Sequence, residues 1–516
     1  MPSPFFQSPQ VPGVYVTQSG TSLNAINPTA LNIAIIADQP TLSSATNTFA
    51  NVVAASGATI GQLSTPMVVT TGTGTYSNYS GFTVTWVSGS TTVTGTYGVN
   101  FNINTASGSP YSYLTTSGVT ASTTSALPSG TVNITYGHQW GAYGTYYTFN
   151  QVAAAIGSAV SGTTVVNPAV LAAQLAYQNG ANTVSILPVA RVSSSGQLSA
   201  TTSDWSRVFN TNVSGTGSDQ TYLANFNAID VVVPLYGFIS NNQPATSAVT
   251  SGVNNYLTSQ ANIGIYQRAF IGVDGTAGQV SVTNLQNLSL SGFGNSRVSL
   301  VYPTQINYNP GLNVNTGYAN VNFNIPGYYV AAAIAGTFVG QTSVATPITN
   351  KIVNGFNAIP NQISLNDAST NYLPYGITTL FQKRDGNFYV LQGLTTNTTN
   401  WLTQEISINA IGDQLANNIY KDLNSSFLVG GPLTQNTLGA AVGTVQNSLI
   451  NAVQQGLIQS YQNVTYQTNP SLPTEVQISF QYAPTYPINY IQITMSLNSQ
   501  TGTVIVNNQQ TNLVVY

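Results

Sequence analysis

The sequence predicts a multidomain protein that combines an α/β domain with a C-terminal α+β domain. The chain has 516 residues, more than one ordinary hydrophobic core organises. Short aliphatic segments alternate with helical ones over much of the chain, as in a parallel sheet covered by helices. A block rich in Thr, Ser and Gly interrupts this alternation near the start, and the last third has longer helices and alternating strands.

The α/β domain is predicted to consist of residues 31–40 together with residues 149–365. Its first strand is the apolar run LNIAIIA at 31–37, which turn-forming residues enclose on both sides. A helix begins with Asn167 as N-cap and Pro168 in its first turn, and Gly180 ends it. Further strands are predicted at 182–192, 229–235, 266–273 and 297–303, and a further helix at 327–340.

Residues 41–148 are predicted to form an inserted, β-rich outer domain. Runs such as FTVTWVSG at 82–89 and TVNITYG at 131–137 alternate apolar and polar residues, which is typical of strands with one solvated face. The block follows the first strand of the α/β domain. Surface loops tolerate such insertions at modest entropic cost.

Residues 366–500 are predicted to form the α+β domain. The segment 377–394 is interpreted as a hairpin that turns at Asp385-Gly386. A helix from about Glu405 to Leu423 follows, with one apolar face formed by Ile408, Ile411, Leu415 and Ile419. A second helix is predicted at about 436–456, and paired strands at 475–483 and 488–497.

Both ends of the chain carry extended segments without a neighbouring partner. Residues 1–30 contain the strand-like run VPGVYV at 11–16, but Pro2, Pro4 and Pro9 interrupt the sequence before it. Residues 501–516 end on two more strand-like runs. Because an unpaired strand leaves backbone N–H and C=O groups unsatisfied, both extended arms are expected to find partners elsewhere.

The composition favours self-association and argues against several classes of partner. Charged residues make up 4% of the chain, against roughly 25% in a typical soluble domain, so copies repel one another little. The net charge of −3, with 8 Lys and Arg residues, argues against nucleic acid, whose phosphates require clustered cations. No apolar run approaches the ~20 residues of a membrane helix, so no membrane insertion is expected.

The sequence offers no recognisable active site, metal site or cofactor site. His138 is the sole histidine and cysteine is absent, which disfavours a nucleophile–His–acid triad and a His/Cys metal centre. A pair of carboxylates for sugar hydrolysis could come from Asp204, Asp230, Asp274 and Asp413. The 11 acidic residues are, however, sufficient merely to cap helices and pair with cations. We therefore expect no enzyme activity and no cofactor.

Several segments carry a family resemblance when they are taken in order. They are PGVYV at 12–16, AYQNGANTVSILPVARV at 176–192, PGYYVAAAIAG at 326–336, and the C-terminal run from the helix at 405–423 to Leu497. Together they resemble the contractile tail sheath proteins of phages and related injection systems. The resemblance spans residues 11–40 and about 150–500, and the block 41–148 has no counterpart in a minimal sheath.

The resemblance implies a tail-sheath-like core whose copies polymerise as stacked hexameric rings around a tail tube. Contraction of these rings would drive the tube through the host envelope. The implied partners are other copies of this chain, the tail tube protein, and the baseplate and tail terminator proteins. The implied location is the phage tail of the virion, after assembly in the host cytoplasm.

The resemblance also assigns roles to three segments. In the family, arms from both ends add strands to the C-terminal domain of a neighbouring subunit. This assigns inter-subunit pairing to Pro12, Gly13, Val14, Tyr15 and Val16 at one end, and to Val504, Ile505, Val506, Leu513, Val514 and Val515 at the other. Tube contact is assigned to the helix at 436–456, through Gln446, Asn447, Asn451, Gln454 and Gln455.

Alternatives remain open at this point. Both arms could instead pair within their own chain, as the ends of ordinary domains do. The Tyr- and Thr-rich β block also suits a carbohydrate-binding or carbohydrate-active surface protein. A tendency to assemble also suits a static surface-layer or capsid protein.

Overall fold

The fold is seen in a computed structural model of the chain. It describes residues 31–38, 43–52, 59–62, 83–95, 101–105, 112–115, 130–138, 144–161, 163–165, 167–189, 200–210, 223, 229–240, 243–244, 247–310, 322–426, 431–489, 494–497 and 504–507.

The molecule is built around a nine-stranded sheet, whose strands we label β1–β9 in chain order. They are β1 (Asn32–Ala37), β2 (Gly144–Tyr146), β3 (Thr183–Pro188), β4 (Val231–Pro234), β5 (Arg268–Ile271), β6 (Val298–Tyr302), β7 (Ile352–Val353), β8 (Ile377–Gln382) and β9 (Phe388–Val390). Their order in the sheet is β7-β9-β8-β6-β5-β4-β1-β3-β2. The strands from β8 to β3 are parallel, and β2, β9 and β7 pair antiparallel at the two edges.

Strand β1 lies in the interior of this sheet, and its sequence explains why. Ile33 faces Val184 of β3 on one side and Val231 of β4 on the other. Alternate residues enter two different hydrophobic cores, Ile33 and Ile35 on one face of the sheet and Ala34 and Ile36 on the opposite face. A parallel strand that is buried on both faces is a nearly continuous apolar run. The one polar residue of β1, Asn32, is buried and donates a hydrogen bond of 2.9 Å to the hydroxyl of Ser185 in β3. The prediction of a buried strand at 31–37 is confirmed.

Helices cover both faces of the sheet. In chain order they are α1 (Phe149–Ile156), α2 (Pro168–Gln178), α3 (Thr202–Val208), α4 (Ser247–Asn262), α5 (Val282–Asn287) and α6 (Tyr328–Val339). Side chains of α1, α2 and α6 join the core around Ile33, and those of α3, α4 and α5 join the core around Ile36. The fold is a mixed α/β architecture, as the sequence predicts.

Helices α2 and α6 approach each other closely at small residues. A Cβ atom added to Gly336 would lie 2.4 Å from the carbonyl oxygen of Ala176. Gly180 has a φ of +107°, a conformation that glycine adopts without strain. This glycine ends α2 as predicted, and it lies against Gly340 just beyond α6.

Antiparallel strands lie between β1 and β2 in the sequence. They are Ser43–Val52, Thr59–Gln62, Thr83–Ser88, Thr91–Thr94, Asn102–Thr105, Ser112–Thr115 and Gly130–His138, arranged as a four-stranded and a three-stranded sheet. Trp86, Phe101, Val132 and Ile134 are fully buried among them. Strand β2, which the sequence analysis placed inside the block 41–148, instead pairs with β3 of the central sheet.

Shorter elements complete the part of the molecule between β2 and β8. Two-stranded ribbons pair Val160–Ser161 with Thr164–Val165, Ile239–Ser240 with Gln243–Pro244, and Gln305–Tyr308 with Phe323–Pro326. Helical turns occur at Leu288–Phe293, Leu365–Asp367, Ala368–Tyr372 and Leu373–Tyr375.

The described part of the C-terminal region contains three helices and two hairpins. They are α7 (Trp401–Gln404), α8 (Ile406–Ser425), α9 (Gln435–Gln454), β10 (Ile458–Asn469), β11 (Leu472–Pro484), β12 (Thr494–Leu497) and β13 (Val504–Asn507). The two predicted long helices are therefore present as α8 and α9. Strand β10 pairs with β11, and β12 pairs with β13.

Two sequence-based expectations for residues 366–500 differ from the structure. The hairpin at 377–394 belongs to the central sheet, because β8 extends that sheet alongside β6. The strand predicted at 475–483 lies in β11 and pairs with the preceding strand β10, whereas the run at 488–497 contributes β12 to the next hairpin. The overall division into domains remains a prediction.

Candidate assembly surface

Helix α8 anchors the C-terminal region to the central sheet. Three of the four predicted face residues, Ile411, Leu415 and Ile419, are buried in the same core as Ile33 of β1. The fourth, Ile408, is buried outside that core, and Ile406 joins the core. The apolar face that the sequence predicted for this helix is therefore its contact with the rest of the molecule. Helix α9 packs against α8, and it adds Val445, Leu449 and Ala452 to that core.

A buried ionic cluster lies where α8 crosses the sheet. The Nη2 atom of Arg268, at the start of β5, lies 2.5 Å from Oδ2 of Asp413 in α8. The Nη2 atom of Arg297, just before β6, lies 3.6 Å from the other carboxylate oxygen. All three side chains are 4% exposed or less. The guanidinium of Arg268 also lies over the ring of Phe338 in α6, 5.4 Å from its centroid.

The charges of this cluster determine the ionisation of Asp413. Burial raises the pKa of Asp413 to about 6, and the positive charges of Arg268 and Arg297 oppose this rise. The carboxyl group is therefore ionised at neutral pH. Burial also lowers the pKa of both arginines, which the Asp413 carboxylate counteracts. The cluster thus ties α8 to the strands β5 and β6 by ionic contacts that water does not screen.

Glu405, immediately before α8, is a second buried carboxyl group. Burial raises the pKa of Glu405 to about 7, opposed by hydrogen bonds from Gln392, Asn489 and Ser407. The Nε2 atom of Gln392 and the Nδ2 atom of Asn489 donate to Oε2 over 3.4 Å and 3.3 Å. Glu405 therefore connects the start of α8 to the segment that follows β11.

The hairpin formed by β10 and β11 has open strand edges. It is a two-stranded sheet, so within the described parts of the chain neither outer edge has a partner strand. Ile478, Phe480 and Tyr482 of β11 are half-buried against the core. Strand β10 carries bulges, one of them at Asn463, whose φ is +57°. Between Val476 and Pro484 the extra residues of the register shifts lie on β10, so β11 is the more regular strand over this stretch.

The residues assigned to tube contact lie together on one exposed surface. Gln446, Asn447, Asn451 and Gln454 are exposed on α9, and Gln455 is exposed at its C-cap. The sequence of α9 contains no charged residue. Hydrogen bonding by amides is therefore the chemistry that this surface offers.

The residues assigned to the two arms are described only in part. Val504, Ile505 and Val506 lie in β13, where they face Leu497, Ser496 and Met495 of β12 in the same chain. This pairing occupies one edge of β13. Pro12, Gly13, Val14, Tyr15 and Val16, and likewise Leu513, Val514 and Val515, lie outside the described residues.

The four aspartates considered as a catalytic pair have structural contacts. Asp204 completes a capping box with Thr201 at the start of α3, and Asp230 accepts a hydrogen bond of 2.8 Å from the backbone N–H of Asn32. Asp274 accepts hydrogen bonds from Thr276, and Asp413 belongs to the ionic cluster. In the part of the chain that the structure describes, no group of three or more His or acidic side chains could hold a metal ion. The same residues include no helix long and apolar enough to cross a membrane.

The sequence does not predict two features of this region. Strand β10 was missed because its sequence, IQSYQNVTYQTN, is polar and largely exposed. The ionic cluster was missed because Arg268 and Asp413 are 145 residues apart. The sequence does carry a sign of the ionic cluster. Arg268 and Arg297 lie at or near the start of two neighbouring predicted strands, and Asp413 interrupts the apolar side of α8.

The C-terminal region is similar to a known protein domain. Residues 398–498, which include α7 to β12, match the family model of the phage tail sheath C-terminal domain. The resemblance to contractile tail sheath proteins is thereby confirmed, because this segment is similar to a sheath domain.

Particular relatives can be named. Over 254 residues the chain is 26% identical to the tail sheath protein of Mycobacterium phage Bxz1, a match that covers 49% of this chain and 42% of the relative. The chain thus matches less than half the length of that curated protein. Its fold is similar to a chain of the anti-feeding prophage baseplate, 6-fold symmetrised, and to the anti-feeding prophage helical sheath in its contracted state. Each of these matches has a TM-score of 0.51 and 13% identity, and covers 95% of this chain and 100% of the other.

Proposed function

We propose that the chain is a structural tail sheath protein that polymerises as stacked rings around a tail tube and contracts to drive the tube through a host envelope. One observation carries the proposal. The segment that matches the sheath family contains the hairpin of β10 and β11, whose outer edges have no partner strand among the described residues. Open strand edges invite pairing with another chain, and folded proteins normally protect them with charge. Between them β10 and β11 carry a single charged residue, Glu475.

The two arms supply the strands that would cover these edges. In this proposal Pro12, Gly13, Val14, Tyr15 and Val16 of one subunit add to the hairpin of another. The edge of β13 opposite β12 pairs with another subunit through Val504, Ile505 and Val506. The contact continues over Leu513, Val514 and Val515. A backbone hydrogen bond contributes only ~1 kcal/mol net, but several in each arm, repeated around every ring, hold the assembly together.

The tube would contact the amide surface of α9. This places the C-terminal region at low radius, with the block 41–148 projecting outward from the α/β domain. The contact would consist of hydrogen bonds and shape matching, because α9 carries no charge. Contraction would proceed by rotation and sliding of whole subunits, while the arms keep them connected.

The wider assembly follows from the same proposal. The 6-fold symmetrised baseplate of the anti-feeding prophage supports hexameric rings for this chain. Partners would be other copies of this chain, the tail tube protein, and the baseplate and tail terminator proteins. The protein would assemble in the host cytoplasm and remain in the virion as part of the phage tail.

Negative-stain electron microscopy of the purified protein tests the proposal. A sheath protein should form hollow, helically ridged tubes of wide bore. Flat lattices would indicate a surface-layer protein instead, and a protein that stays monomeric under all conditions would refute the proposal.

Deletion of residues 1–17 tests the role of the N-terminal arm. The truncated subunit should stay folded with nearly unchanged melting but form no tubes. Tubes formed by the truncated protein would refute inter-subunit pairing, and an unfolded product would show that the arm pairs within its own chain.

A further inference from the structure

An exposed apolar surface lies beside the end of β11, and the strand pairing proposed above does not use it. Its centre is the contact between Trp401 and Tyr486, and each of these residues has an exposed apolar neighbour in the sequence, Leu402 and Ile488. The four side chains are 46%, 40%, 36% and 77% exposed in that order, and we name them the aromatic platform. The rings of Trp401 and Tyr486 contact each other at a tilt of 54°, with their centroids 5.1 Å apart. Large apolar side chains that cluster at a surface mark interaction sites.

The platform is held in place from both sides. The backbone N–H of Thr485 donates to the carbonyl oxygen of Leu457 over 3.1 Å, and its hydroxyl donates to that of Gly456 over 2.7 Å. Asn489 donates to the buried Glu405. The segment that carries Tyr486 and Ile488 is thus fixed at each end, so a ligand need not order it on binding.

The sequence itself contains a segment whose chemistry fits such a surface. Residues 2–12 read PSPFFQSPQVP and contain Pro2, Pro4, Pro9 and Pro12. Proline fixes φ and removes N–H donors, which favours the extended polyproline conformation. Segments of this kind dock on exposed Trp and Tyr side chains at low entropic cost.

We propose that the proline-rich segment 2–12 of a second copy of this chain docks on the aromatic platform. The inference rests on the proposed function, in which residues 11–16 of one subunit pair with the hairpin of another. An arm that pairs antiparallel to β11 has its N-terminal end beside the C-terminal end of β11. The platform begins there, because Tyr486 follows Pro484 by two residues. The segment preceding the paired strand therefore meets the platform directly.

Disulfide trapping in the full-length protein tests this contact, because the natural chain contains no cysteine that could react in the background. Ser8→Cys is combined with Ile488→Cys, and an oxidant is added under assembly conditions. The matched control combines Ser8→Cys with Ile263→Cys, because Ile263 is 63% exposed and lies just after α4. We call the combination of Ser8→Cys with Ile488→Cys the platform pair. It should give covalent dimers and longer cross-linked species, and the control should give few cross-linked species.

Two further samples test the chemistry of the platform. Trp401→Ala in the platform pair should lower the cross-linking yield about tenfold, as loss of an aromatic anchor does. An excess of a synthetic peptide of residues 1–13 should compete with cross-linking. The same peptide with Pro4 and Pro9 replaced by serine should compete far less.

Equal yields for the platform pair and the control would overturn the inference, and so would a disulfide formed within one chain. Electron microscopy of the unmodified protein separates this result from the proposed function. Tubes without platform-specific cross-linking would refute the platform contact alone. Cross-linking without tubes would support the contact and refute the sheath function.

Discussion

Replacing Asp413 by asparagine tests whether the ionic cluster fixes α8 on the sheet. The substitution preserves the shape of the side chain but removes the negative charge between Arg268 and Arg297. Both guanidinium groups stay charged, because arginine does not deprotonate in proteins, and both side chains are 4% exposed or less. They would then repel each other in a region that water does not reach.

The expected loss follows from the distances. A unit charge pair 4 Å apart contributes about 4 kcal/mol at an effective dielectric constant of about 20, and removing one partner of a buried pair costs about 3–5 kcal/mol. Asparagine still offers an acceptor oxygen to Arg268. We therefore expect the free energy of unfolding to fall by about 3 kcal/mol, at the lower end of this range.

Urea denaturation of the unassembled full-length subunit, followed by circular dichroism, measures this loss. The matched control is Asp385→Asn in the exposed turn between β8 and β9. It should change the midpoint little, because exposed charged contacts contribute little and the asparagine oxygen can still accept the hydrogen bond from the backbone N–H of Asn387. A loss below about 1 kcal/mol for Asp413→Asn would show that the ionic cluster does not fix α8 on the sheet.

Three further predictions concern other parts of the molecule. The pKa of Glu405 is about 7 in the folded state against a usual 4.5, so the folded state binds this proton more tightly. Its contribution to stability is greatest below pH 4.5 and is lost as the pH rises to about 7, by about 3 kcal/mol. Glu405→Gln should flatten this dependence in denaturation curves at pH values across that range, and an unchanged slope would contradict the assignment. Gly336→Ala should destabilise the protein by about 2 kcal/mol, because the added Cβ would lie 2.4 Å from the carbonyl oxygen of Ala176. Gly439→Ala in α9 should stabilise the protein by up to about 1 kcal/mol, because the added Cβ would meet nothing within 4 Å. Thermal melting that ranks the two variants in the opposite order would show the packing argument to be wrong. Co-sedimentation of the sheath with tail tubes should change less than about twofold between about 0.05 M and about 0.5 M salt, and a collapse at high salt would exclude an uncharged contact through α9.

The elements that the sequence predicted well are those whose own residues determine them. Strand β1 is apolar from Ile33 to Ala37 because both faces are buried, and α2 carries its stop signal in Gly180. The apolar spacing of α8 likewise predicted which side meets the core. In each case the local pattern and the tertiary environment agree.

The features that the sequence did not predict depend on distant residues. The turn at Asp385-Gly386 identified the hairpin of β8 and β9, but its membership of the central sheet depends on pairing with β6, which no local pattern encodes. Strand β10 lacks an apolar alternation, because only Ile458, Tyr461 and Val464 meet the core and they are spaced three residues apart. Pairing with β11 determines the conformation of its other residues. The aromatic platform joins residues of α7 to residues beyond β11, so neither segment reveals it alone.

The interior position of β1 determines the order in which a nascent chain can fold. Its two neighbours in the sheet follow much later, since Asn32 bonds to Ser185 and Asp230, 153 and 198 residues further on. At a synthesis rate of roughly 5–20 residues per second, β1 waits roughly ten seconds or more for its first partner. The hairpin of β10 and β11 is synthesised later still, after every strand of the central sheet. A nascent subunit therefore exposes these open strand edges only once the sheet that supports them can close, which shortens the time in which a ribosome-bound chain presents them without a folded core.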